Sequence, residues 1–159
     1  MISASLDMLE ESLVKKIEIM KMIEDENARQ KEILSNSDEV NLEAFDKTLD
    51  TKGEYIEELE KLDDGFQSLF DRVKKEVGDN KEAYADQIKR MQHLIHDIMD
   101  KSASIEAAEH RNKKLAERYF SSERQKMAEG KRSSAAAFNY YSTMNNFKDI
   151  PPQFLDTKN

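Results

Sequence analysis

Apolar residues recur along most of this chain at alternating steps of three and four, the spacing that lays them on one face of an α-helix. In the first segment, roughly 3–35, the stripe joins Leu6, Leu9, Leu13, Met20, Ile23 and Leu34, with Ile17 and Ile33 beside it. Its register also carries Lys16, Asn27 and Gln30. The cluster SNSD then supplies turn and capping residues.

The second segment, about 40–77, has the most regular seam. It runs Leu42, Phe45, Leu49, Lys52, Ile56, Leu59, Asp63, Phe66, Phe70, Val73 and Val77. Asn41 or Asp38 is the expected N-cap and Gly78 the expected stop. Gly53 and Gly65 fall inside this helix, where a glycine costs about 1 kcal/mol relative to alanine, and they suggest a bend or a close neighbour. Lys52 and Asp63 interrupt the seam. Eleven residues apart on one helix, they cannot bond each other. Either they are buried polar groups that fix register, or each reaches solvent from a thin bundle.

Asp79 and Glu82 have capping-box spacing and open a third segment, about 80–128. Its seam is apolar from Tyr84 through Ile88, Met91, Ile95 and Ile98 to Ile105, then turns polar at Glu109 and Asn112. The later part reads as helix that emerges past its partners or packs on something else. Three long helices joined by short turns make an all-α fold, an elongated antiparallel bundle or coiled coil. A helical rod over 1–129 is followed by a C-terminal short helix or flexible tail over 130–159. A monomeric three-helix bundle and a hairpin that forms a homodimer both satisfy the pattern.

Composition sharpens this. With 36% charged and 38% hydrophobic residues, the chain can cover narrow helical stripes more readily than a broad core. The net charge is −8, and the tail holds four basic against two acidic residues, so the first 129 residues carry −10. Such a body disfavours nucleic acid, whose binding rests on neutralising phosphates. The opening MISASLDMLEESLVKK lacks the pattern of a signal peptide, and no apolar run reaches membrane-span length. No cysteine is present. The expectation is a soluble, cytoplasmic protein without a membrane span.

Chemistry-bearing motifs are sparse. None of His93, His96 and His110 follows a Glu by three residues, as a di-iron bundle site requires. His93 and His96 share a face near Asp97 and Asp100, which suits a weak divalent site or a plain polar flank. No phosphate loop, nucleophile elbow or calcium loop occurs. Neither catalysis nor a cofactor is expected.

The tail has a different character. It contains both prolines, no Glu, and five of the twelve aromatics. Phe138, Tyr141 and Met144 fall on one helical face, while Pro151 and Pro152 favour extended chain. The segment can order on a partner or pack back on the bundle, and a docked tail can be displaced.

The stretches LDDGFQSLFDRV (62–73), AEHRNKKLAERYFSSER (108–124), FNYYSTM (138–144) and QFLDTK (153–158), with LEAFDKTLDTKGEYIEEL in the second helix, resemble the FlgN-type flagellar export chaperones of low-GC Gram-positive bacteria. The resemblance spans nearly the whole chain. It implies a cytoplasmic, non-enzymatic chaperone that binds the C-terminal helical regions of hook-associated proteins, prevents premature assembly and delivers them to the flagellar export gate. In that family the C-terminal region captures the client and docks at the gate. Carried over by region, the role falls on Phe138, Tyr140, Tyr141, Met144, Phe147, Phe154 and Leu155. A structural or adaptor coiled coil, or a chaperone for flagellin or the filament cap, is the alternative.

Overall fold

The computed structural model describes residues 3–36, 39–124 and Tyr140. Among them there is no strand. The elements are α1 (Ala4–Ser35), α2 (Leu42–Asp64), α3 (Phe66–Val77), a short 3-10 turn (Lys81–Tyr84) and α4 (Ala85–Glu123). The protein is an all-α bundle of three rods: α1, α2 continued by α3, and α4.

Local chemistry sets the boundaries. Ser3 caps α1 through its side chain, which accepts from the Leu6 amide at 3.2 Å. Its hydroxyl also donates to Glu76 Oε1 at 2.9 Å, and the Ser5 amide and hydroxyl bond the same carboxylate. The start of α1 is thereby tied to the end of α3, and these bonds hold the Glu76 carboxyl below its ordinary range. Ser3→Ala should cost about 1 kcal/mol in a urea unfolding series. A change under a few tenths would mean the cap contributes nothing.

Asn41 caps α2, its side chain accepting from the Ala44 amide at 3.1 Å. The second helix is broken at Gly65. A Cβ placed at Gly53 or Gly65 would meet nothing within 4 Å, so close approach of a neighbour explains neither glycine. The break moves the buried stripe: beyond it Leu69 joins Val73 and Val77 inside, while Phe66 and Phe70 are only half-buried. Gly78 ends α3 at φ 52°, a conformation that glycine adopts without strain, and its amide reaches Lys74 O at 2.9 Å.

The expected Asp79–Glu82 capping box does not form. The Ala83 amide instead bonds Asn80 O at 3.0 Å, and the tight turn delivers Tyr84 into the core.

Cross-helix bonds fix the directions. Along α1, Ser3, Lys16 and Gln30 meet Glu76, Asp63 and Thr48, so α2 and α3 run antiparallel to it. Against α4, Glu10, Glu24 and Asn27 meet Arg90, Lys101 and Asn112, so α4 runs parallel to α1. Close backbone approaches join α1 to α2, α3 and α4; α2 and α4 meet mainly through side chains. The core is one apolar cluster along α1, with Leu6, Leu9, Met20, Ile23, Phe45, Ile56 and Leu59 essentially inaccessible.

A buried polar layer as candidate functional site

Toward the end of the bundle that holds the α1–α2 turn, the seam positions of all three rods become polar at the same level. Asn27 and Gln30 come from α1, Thr48 and Lys52 from α2, and Glu109 and Asn112 from α4; all six are buried. Apolar layers close both sides. Ile23, Ile56 and Ile105 lie toward one end; Leu34, Phe45 and Phe120 lie toward the other, with the two rings 5.8 Å apart.

Lys52 is the centre of the layer. Its Nζ donates to Asn27 Oδ1 at 2.7 Å, to Gln30 Oε1 at 2.9 Å, and to the Glu109 carboxylate at 2.9 and 3.1 Å. An ammonium has three protons, and these three partners take them all. Asn112 Nδ2 donates to Asn27 O at 2.9 Å and to Gln30 Oε1 at 3.1 Å. Gln30 Nε2 donates to Thr48 Oγ1, which passes its own proton to Phe45 O. The bonds fix the orientation of both amides. Asn27 Nδ2 is buried and has no partner among the described residues.

Tyr140 completes the layer from the far end of the chain. It is helical and buried. Its hydroxyl donates to Glu109 Oε1 at 2.9 Å, and its ring centroid lies 4.2 Å from Lys52 Nζ. The ring therefore covers the ammonium while the hydroxyl adds a donor to the carboxylate.

Burial pushes Lys52 down to about 8, with the Glu109 charge and hydrogen bond opposing the shift. At neutral pH the amine is still protonated. Because the folded value lies below the ordinary 10.5, the fold carries a penalty for the protonated amine at low pH. That penalty fades as pH rises from about 8 to 10.5. Relative to the double variant Lys52→Met/Glu109→Leu, the wild-type chain should gain on the order of 3 kcal/mol across that window. Urea midpoints at pH 7.5, 9 and 10.5 measure it, and parallel curves for the two proteins would contradict the assignment.

Several sequence expectations meet the structure here. Lys52 does not reach solvent; it is fully enclosed. Asp63 is partly exposed and pairs with Lys16 of α1 at 2.9 Å. The polar seam of α4 does not emerge past its partners, because Glu109 and Asn112 face Lys52, Asn27 and Gln30. The sequence reading left Glu109 and Asn112 without a partner. The signal lay in all three seams turning polar at matching heights.

Of the tail residues, Tyr140 alone is described, and it lies on this layer rather than apart from the bundle. Phe138, Tyr141, Met144, Phe147, Phe154 and Leu155 lie outside the described residues. His93 and His96 are both exposed. Among the described residues no group of three or more metal-ligating side chains comes together, and no helix is long and apolar enough to cross a membrane.

No protein-family model, curated protein or solved structure matches this chain.

Proposed function

We propose that the chain is a non-enzymatic cytoplasmic chaperone of the FlgN type. It binds the C-terminal helical regions of flagellar hook-associated proteins, keeps them from assembling early and hands them to the export gate. The observation that carries this reading is the return of Tyr140 to the bundle. A residue of the aromatic C-terminal segment rests between α2 and α4 on a buried charge pair, its hydroxyl bonded to Glu109 and its ring facing Lys52. Such a contact is specific, and an amphipathic client helix can compete for the same place by helix-in-groove packing. The acidic body suits the task, since it keeps a complex with an aggregation-prone segment in solution.

The test is a calorimetric titration of C-terminal helical fragments of hook-associated proteins into the full-length chain. Tight one-to-one binding, absent for flagellin and filament-cap fragments, is the expected result. No heat with any hook-associated fragment would overturn the reading, and a preference for flagellin or cap would reassign the client.

A further inference from the structure

Tyr140 sits on the face between α2 and α4. Close backbone approaches join α1 to each of the other helices, but α2 and α4 face each other chiefly through side chains, among them Lys52 and Glu109. Tyr140 contacts both members of that pair at once.

The chemistry of this seat is narrow. It offers a carboxylate oxygen that accepts and an ammonium that lies under a ring face. Phenylalanine would cover the ammonium but bring no proton for Glu109. Serine or threonine would bring the proton but leave Lys52 uncovered. A basic side chain would crowd a second cation against Lys52, and an acidic one a second anion against Glu109. The pair is neutral as a whole, so net charge does not select the occupant. Tyrosine satisfies both halves together.

We propose that the Lys52–Glu109 seat is a recognition site for a tyrosine presented on a helix. Tyr140 fills it in the free chain, and a tyrosine on the docking partner helix replaces Tyr140 in the complex. The seat follows from the geometry; the identity of the partner rests on the chaperone reading above. Tyr140 is thus an internal competitor, and partners lacking a matching tyrosine must displace it without restoring its contacts to Lys52 and Glu109.

A labelled synthetic peptide of residues 130–159 tests the seat by fluorescence anisotropy without any client. The full-length chain carrying Tyr140→Ala should bind this peptide at least tenfold more tightly than the wild-type chain, whose own tyrosine competes. Full-length Tyr140→Phe keeps the ring and should fall between the two. A peptide with Tyr140→Phe should bind the Tyr140→Ala chain about tenfold more weakly than the wild-type peptide, the loss expected of a hydrogen bond to a charged acceptor. Equal affinities of the two peptides would overturn the proposal. So would equal binding by the wild-type and Tyr140→Phe chains, a comparison that remains valid if Tyr140→Ala fails to fold. Failure here with intact binding of hook-associated fragments would remove the seat and leave the chaperone reading standing. The converse would remove the client and leave the seat.

Discussion

Glu109→Ala is expected to destabilise the protein by about 3–5 kcal/mol, the range for breaking a buried ion pair from one side. The substitution leaves the Lys52 ammonium, with no exposed surface, without its paired carboxylate, beside the neutral acceptors Asn27 and Gln30. It also removes the acceptor of the Tyr140 hydroxyl. The double replacement Lys52→Met/Glu109→Leu should recover most of the loss, since apolar side chains of similar volume avoid the desolvation of two charges. Urea unfolding of the wild type, Lys52→Met, Glu109→Leu and the double variant gives the coupling directly. A Glu109→Ala variant losing under about 1 kcal/mol would mean that Lys52 reaches water.

The second large effect is expected at Phe45. This ring is fully buried, packs against Phe120 at 5.8 Å and closes one side of the polar layer. Phe45→Ala should cost about 3–5 kcal/mol through lost burial and the cavity left behind. Phe70 occupies the same helical seam in the sequence, yet it is half-buried and lies 5.1 Å from Lys74 Nζ. Phe70→Ala should cost only about 1 kcal/mol. Equal losses at the two positions would show that the seam runs unbroken through Gly65.

That contrast marks what was legible beforehand. The end of α1 followed from the SNSD turn, and the stop at Gly78 followed from glycine's freedom at positive φ. Those signals are local, and local chemistry decides them. Gly53 and Gly65 suggested a bend, but that the helix breaks at Gly65 and not at Gly53 was not legible, because an exposed glycine within an apolar repeat reads the same in a straight helix and in an interrupted one. The polar layer was half legible. Lys52, Asn27, Gln30, Glu109 and Asn112 could each be placed on a seam, but periodicity speaks only within one helix. Which polar position faces which depends on the heights of three rods, and those are set by turns and packing.

The tail shows the same limit. Its face of Phe138, Tyr141 and Met144 came from helical spacing, whereas Tyr140 found its place through a carboxylate and an ammonium on two other helices. The charge pair is conformationally demanding rather than strongly stabilising. A layer whose bonds form in one alignment resists sliding of α2 and α4 along α1. That fixed register is what gives a docking side chain a defined target.

The most direct measurement is the nuclear magnetic resonance signature of Lys52 in the full-length chain. The account requires Lys52 ε-protons shifted upfield by the Tyr140 ring and an ε-ammonium protected from solvent exchange at neutral pH. In Tyr140→Leu the upfield shift should vanish. Ordinary solvated-lysine shifts and fast exchange in the wild-type protein would contradict it, and with it the seat on which Tyr140 rests.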